Sequence, residues 1–337
     1  MRGIHLEKPY DVKLIEKDMP VPKEGEALIK VKSAGICGSD IAAFRGSNPL
    51  VSYPRMLGHE IAGEVISIPA NPSGIKPGDK VVVDPYLYCG QCYPCSQNRT
   101  NCCEQLQVLG VHVDGGMVDY LCHPANMLVK IPDELPWDIA CMAEPLTIAL
   151  HGLHRAHVQA GEHVAIIGAG TIGMLTAQAA LYYGAIPILI DIVQGRLDKA
   201  QSMGMPHTIN PQQEDVERAI VALTKGRRCE AVIEASGANA SVRLTLDVAS
   251  HAGRVVFTGW PKQETSLPTD MITRKELDVF GSRTSVGEFE EAIQLISRGD
   301  VDVRLLLTEL ISMEQAAAAI EQIERNPANY LKVNVLL

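Results

Sequence analysis

The sequence predicts an α/β protein of two domains: one β-rich and antiparallel, the other a doubly wound parallel sheet. Three observations carry this. The first 140 residues hold short β-rich runs divided by turn signals. From Pro145 onward, apolar strand-like runs alternate with helix-like stretches. The chain, at 337 residues, is long enough to bury two cores.

In the N-terminal part, "EALIKVKSAG" (26–35), "EIAGEVISI" (60–68) and "KVVVD" (80–84) are rich in β-branched residues. "NPSG" and "KPGDK" separate them as turns, so a barrel-like domain with functional loops is expected. "HVAIIGAG" (163–170) then reads as a buried strand, followed by a helix from Thr171 and a second apolar run, "AIPILID" (185–191). Runs at 231–237, 254–259 and 277–282 continue the alternation, which means βαβ units and a parallel sheet. A helix is expected over 287–299. A closing strand, "KVNVLL" (332–337), is expected to return to the first domain and make it discontinuous.

Composition narrows the function. The formal net charge is −10 and no Lys/Arg cluster stands out, which argues against nucleic acid or an anionic membrane as partner. Four Phe and two Trp leave little for base stacking. There is no run of 18 apolar residues and no signal-peptide pattern at "MRGIHLEKPYDVKL", so a cytoplasmic protein without a membrane span is expected.

Five of the nine cysteines fall within residues 88–104. A disulfide knot suits a cytosolic chain poorly. Cys89, Cys92, Cys95 and Cys103 are spaced C-x2-C-x2-C-x7-C, which suits a tetrahedral thiolate zinc site with no open position, hence a structural one. An iron–sulfur cluster and plain buried thiols are the competing readings, and Cys102 competes with Cys103 for the fourth place.

A second constellation is scattered. Cys37 lies in "GICGSD", His59 and Glu60 in "LGHEIAGEV", and Glu144 in "AEPLT". Each fragment alone is ordinary. Together they offer one thiolate, one imidazole and carboxylates, a set suited to zinc with an open position, and Cys⁻, Glu⁻ and neutral His balance the Zn²⁺ charge. Ser39, otherwise a turn residue, is placed to bond an alcohol and pass its proton outward.

"IIGAGTIG" sets Gly168, Gly170 and Gly173, with Ile172 among them, in G-x-G-x-x-G spacing between a strand and a helix. That context suits a pyrophosphate at a helix N-terminus. Asp191, 21 residues beyond Gly170, is placed to accept from the adenosine ribose and favours NAD over NADP. The alternative for Asp191 is a helix cap. Arg196 offers a place for a 2′-phosphate or a stacking face for adenine.

Taken together, Cys37 with Gly58-His59-Glu60, the four-cysteine lobe and the glycine fingerprint resemble the zinc-dependent medium-chain alcohol/polyol dehydrogenases, over nearly the whole chain. The resemblance implies a GroES-like catalytic domain (1–146 and 283–337) and a Rossmann NAD-binding domain (147–282), with the active site in the cleft between them. It implies two zincs per chain and NAD. Cys37, His59 and Glu144 become zinc ligands, and Glu60 an alternating ligand or its supporting partner. Glu144 stands where a second Cys of alcohol dehydrogenases falls, as in sorbitol-type enzymes. A homodimer or homotetramer is also implied.

Two positions depart from the pattern: Pro69 replaces a glycine, and Ala42 and Ala43 stand where a relay histidine is common. "RTNCCEQLQVLGVHVDGGMVDY" (99–120) and "GSRTS" (281–285) are most similar to bacterial sugar-acid dehydrogenases of the L-galactonate/L-gulonate 5-dehydrogenase kind. A sugar acid needs a partner for its carboxylate, and Arg45, His112 and Arg283 are candidates. Competing readings are a neutral or phosphorylated polyol dehydrogenase, a threonine dehydrogenase, and a non-catalytic NAD-binding relative. The cysteines alone would also suggest a zinc-finger nucleic-acid binder, which the acidic charge opposes.

Overall fold

The computed structural model describes residues 1–261 and 263–337. The chain folds as two units. The first comprises Met1–Glu144, Phe289–Ser297 and Leu306–Leu337; the second comprises Pro145–Glu288 and Arg298–Leu305. The return crossing therefore falls at 288/289, later than the 282/283 read from sequence. Side-chain bonds within the second unit explain the delay. Ser285 and Glu288 are held by Thr147 and His151 of helix Ala143–Arg155, each at 2.8 Å. Glu288 also accepts from the Val286 amide at 2.6 Å.

The largest sheet of the first unit has seven strands, beside a three-stranded and a two-stranded sheet. Its strands run in the order Leu128–Lys130, Lys80–Val83, Glu60–Ser67, Glu26–Ile36, Lys332–Leu336, Leu307–Ser312, and Tyr120–Pro124 also pairs with Glu26–Ile36. The neighbours are antiparallel except for the last pair, Leu307–Ser312 with Lys332–Leu336. The closing strand does return: Val333 pairs with Ile36 and Leu336 with Ser33. Ile29, Val31, Ile61, Val81, Val83, Val333 and Val335 line the core side of these strands, as the alternation in "ALIKVK" requires.

In the second unit six parallel strands run in the order His207–Ile209, Ile186–Ile190, His163–Ile167, Cys229–Glu234, Ala249–Phe257, Asp278–Gly281. In chain order this is 3-2-1-4-5-6, and the direction of winding switches between the His163 and Cys229 strands. The central strands are largely buried, so apart from His163, Glu230 and Glu234 they read as apolar runs rather than alternating ones. Helix Thr171–Tyr182 is buried from Gly173 through Ala180, and "GMLTAQAA" accordingly carries no charge.

One buried histidine gives the first unit a pH signature. His123, 1% exposed, has its Nε2 2.8 Å from the Asp84 carbonyl oxygen. Burial depresses its pKa to about 4, with the Asp84 hydrogen bond opposing. The folded value thus lies below the unfolded one of about 6.5. Between pH 6.5 and 4 the unfolded chain binds the extra proton, so stability falls as pH falls through that window. The His123→Gln variant is expected to lose up to about 3 kcal/mol less than the parent on going from pH 7 to pH 4. Urea midpoints at both pH values check this, and parallel pH profiles for the two proteins would refute it.

Candidate active site

Sheet register brings the scattered constellation together. Strand Glu26–Ile36 ends one residue before Cys37, and Gly35 pairs across to Glu60. Cys37 caps helix Gly38–Arg45, where the Asp40 carboxylate accepts from the Cys37 amide at 2.9 Å. One donor atom each from Cys37, His59 and Glu60 lies within 4.8 Å of the others. A Cβ at Gly35 would meet the Glu60 carboxylate and come within 2.9 Å of Lys332 Nζ, so a larger residue there would displace that pair.

Glu144, in the first turn of helix Ala143–Arg155, is buried and accepts from the Tyr86 hydroxyl. Glu60 is ion-paired with Lys332, whose ammonium also donates to the Ile36 carbonyl at 3.1 Å. Ser39 Oγ is 3.4 Å from His59 Nε2. On the other side of the ring, His59 Nδ1 lies 4.0 Å from Asp40 Oδ1. Ala42 and Ala43 follow in the same helix, so no imidazole stands at those relay positions.

The electrostatics are those of a cation site. Burial opposes charge on His59, yet Cys37, Asp40 and Glu144 hold its pKa well above the ordinary value. Burial, and then the Glu60 charge, push the Glu144 carboxyl up to about 7 against the pull of His59. Burial likewise raises Asp40. This crowd of buried acids around one thiol and one imidazole fits a divalent ion, with the Asp40 carboxylate 4.0 Å behind His59. Sequence reasoning missed Asp40, Tyr86 and Lys332. Only "GSD" beside Cys37 hinted at Asp40.

Lys332 carries a prediction of its own. Burial opposes its charge, and Glu60 and Cys37 restore it. Lys332→Met leaves the Glu60 carboxylate buried without its cation, and is expected to cost about 3–5 kcal/mol. The double variant Lys332→Met/Glu60→Gln should recover most of that loss in urea unfolding. Equal stability of parent and Lys332→Met would contradict the pairing.

The cysteine lobe is equally defined. Sγ–Sγ distances are 3.4 Å for Cys92–Cys95, 3.8 Å for Cys92–Cys103 and 3.5 Å for Cys103–Cys89. A tetrahedral zinc with Zn–S near 2.3 Å has sulfur–sulfur edges of about 3.8 Å, so these four fit the ion. Backbone amides of Gln91 and Cys92 lower the Cys89 thiol to about 6, and those of Cys89 and Gln105 donate to Cys103 Sγ at 3.3 Å. All nine cysteines are free thiols. Cys102 stands apart from the four, 3.7 Å from Arg99 Nη2.

In the second unit, Gly168, Gly170 and Gly173 form the turn from strand His163–Ile167 into helix Thr171–Tyr182, with Ile172 in the helix's first turn. A Cβ on Gly173 would collide with the Gly168 carbonyl, whereas one on Gly170 would meet open space. The first turn of the helix carries no acid. This open, electropositive cradle fits a pyrophosphate. Asp191 Oδ2 accepts from the Ala169 amide at 2.6 Å, and Oδ1 from Val193 at 2.8 Å. Arg196 Nη1 is 3.7 Å from the same carboxylate.

The candidate substrate cations are placed differently from one another. The Arg45 fork closes on Glu324, with Nε–Oε1 at 2.8 Å and Nη2–Oε2 at 2.5 Å. His112 Nδ1 accepts from the Val108 amide at 3.1 Å, which locks a tight turn. Arg283 is exposed and follows strand Asp278–Gly281.

Comparison with known proteins gives concordant results. Residues 23–133 match the alcohol dehydrogenase GroES-like domain, and residues 171–298 match the zinc-binding dehydrogenase family. An uncharacterised zinc-type alcohol dehydrogenase-like protein of Haemophilus influenzae is 53% identical, over 100% of this chain and 98% of that protein. L-galactonate-5-dehydrogenase of Escherichia coli is 35% identical, over 96% of this chain and 95% of that protein. A crystal structure of an Escherichia coli CFT073 alcohol dehydrogenase complexed with NADH superposes with a TM-score of 0.93, at 34% identity, over 100% and 99% of the two chains. With the two-domain fold, the mixed thiol–imidazole–carboxylate group and the four-cysteine lobe all in place, the chain belongs to the zinc-binding medium-chain alcohol/polyol dehydrogenase family and is an oxidoreductase.

Proposed function

We propose that this enzyme reversibly oxidises a secondary alcohol of a sugar acid, such as L-galactonate or L-gulonate, to the ketone with NAD. The carrying observation is the convergence of Cys37, His59 and Glu60 in one buried cluster, flanked by Glu144. These residues hold the catalytic zinc, and Cys89, Cys92, Cys95 and Cys103 hold the structural one. When bound, zinc supplies a Lewis acid that lowers the alcohol's pKa, and NAD supplies the hydride acceptor.

The protein's own residues do the rest. Ser39 Oγ, at the first turn of its helix and within reach of the His59 ring, takes the alcohol proton and passes it outward. Asp40 lies 4.0 Å behind the His59 ring, Lys332 pairs with Glu60, and Tyr86 donates to Glu144. Gly168, Gly170 and Gly173 seat the pyrophosphate. Asp191, aimed by the Ala169 and Val193 amides, accepts from the adenosine ribose and disfavours a 2′-phosphate.

The similarity to L-galactonate-5-dehydrogenase supports the sugar-acid reading, with Arg283, His112 and Arg45 the candidate carboxylate partners. His112 accepts from the Val108 amide and Arg45 pairs with Glu324. The Arg45–Glu324 pair favours a second reading, a neutral polyol. NADH formation from NAD with aldonates and matching neutral polyols separates the two. Faster turnover of L-galactonate or L-gulonate is expected, and a preference for neutral polyols would discard the carboxylate pocket.

A further inference from the structure

The closing strand Lys332–Leu336 carries two buried polar side chains on one face. Val333 and Val335 belong to the hydrophobic core, so by strand alternation Lys332 and Asn334 share the opposite face. The short helix Trp137–Ala140 packs against this strand and against Glu26–Ile36 and Glu60–Ser67. All of these residues belong to the first unit. Register sets Asn334 beside the zinc-site carboxylate. Its cross-strand partner is Gly35, and the space a Cβ on Gly35 would need is taken by the Glu60 carboxylate and the Lys332 ammonium.

A buried amide is costly unless it is bonded, and Asn334 is 0% exposed. Its Nδ2 donates to the Asp138 carbonyl at 2.7 Å, while its Oδ1 is buried without a partner among the described residues. The side chain therefore holds Asp138 at the cost of an unsatisfied acceptor. What it holds matters for the site. A four-residue helix cannot satisfy its own carbonyls, and the strand supplies a donor to one of them. From there the chain runs through Ile139, Ala140, Cys141, Met142 and Ala143, all buried, to Glu144. Burial and then the Glu60 charge push the Cys141 thiol up to about 12, so this segment lies near the other carboxylate as well.

We propose that Asn334 is a positioning residue of the zinc site: it docks the 138–144 segment that delivers Glu144, from the same strand face on which Lys332 holds Glu60. One strand thereby sets both carboxylates. The proposal rests on the reading of Glu60 and Glu144 as zinc-site residues. It separates Asn334 from an ordinary core position. Val335, the next residue, faces the hydrophobic core and touches neither carboxylate's support, so Val335→Ala is the control for lost stability alone.

The test is zinc affinity by chelator competition, with kcat, NADH affinity and hydrogen exchange over 137–144 on the same zinc-loaded preparations. Asn334→Val removes the donor and keeps an apolar strand residue. Asn334→Ser, whose hydroxyl is too short to replace the amide, is a second truncation, so either variant that folds carries the test. In both, the catalytic zinc is expected to bind about tenfold more weakly and kcat to fall about tenfold. Exchange over 137–144 should rise, while the cysteine-lobe zinc and NADH affinity stay within twofold. Val335→Ala is expected to lower Tm and leave zinc affinity and kcat within twofold. Asn334 variants with parental zinc affinity and kcat, or with the same profile as Val335→Ala, overturn the proposal and leave the zinc-site reading intact. A parent enzyme that binds zinc at the cysteine lobe alone overturns both.

Discussion

Cys37→Ala is expected to lower kcat/KM by at least about a thousandfold while leaving NADH affinity within a factor of two. The thiol is one of three donors in the Cys37–His59–Glu60 group, and its loss removes the soft ligand that selects zinc. Lewis-acid stabilisation is worth several kcal/mol in the transition state, and about 4 kcal/mol is a thousandfold in rate. NADH binding should survive because the glycine cradle and Asp191 belong to the other unit. Steady-state kinetics, an NADH titration and a zinc assay on the same preparation check all three parts. Full activity with the zinc content of the parent would remove Cys37 from the site.

Cys103→Ser is expected to act on stability first. The lobe it closes has almost no regular structure: a four-residue helix, Tyr93–Ser96, and the two-residue strands Tyr86–Leu87 and Gln107–Val108. Tyr88 and Tyr93 are exposed, so little apolar burial holds the loop. In zinc-finger peptides structural zinc contributes roughly 10–16 kcal/mol of apparent binding energy, and here the ion takes the place of a core. Zinc should fall from two to one per chain, with a lower Tm and rapid proteolysis between 88 and 104. Because Cys102 is adjacent, the double variant Cys102→Ser/Cys103→Ser should match or exceed the defect. Two zincs and an unchanged Tm in the double variant would contradict the assignment.

What was legible in the sequence was what is local. The four cysteines fall within one short segment, and the glycine fingerprint spans a single turn into a helix. Strands such as "HVAII" and "IPILI" declare themselves because burial on both faces leaves no polar residue in them beyond His163 at the first one's start. The strand Ala249–Phe257 was legible only from Arg254 on. Its first half, "ASHAG", carries a left-handed Ala252 and a register shift against the Cys229 strand, and neighbouring strands rather than its own residues hold it extended. Lys332 was invisible for a different reason: it reaches Glu60 from 272 residues away, and a lysine opening a terminal strand ordinarily points to solvent. Tyr86 looked like one more loop aromatic until the fold set its hydroxyl on Glu144.

The central claim is that dehydrogenation depends on zinc held by the Cys37–His59–Glu60/Glu144 cluster. The most direct measurement follows NADH formation while zinc is withdrawn by a chelator and returned in counted equivalents. Two zincs per chain are expected, with activity lost with the more labile one and recovered on its return while the cysteine-lobe zinc stays bound. Undiminished NADH formation by fully zinc-depleted, folded enzyme would contradict it.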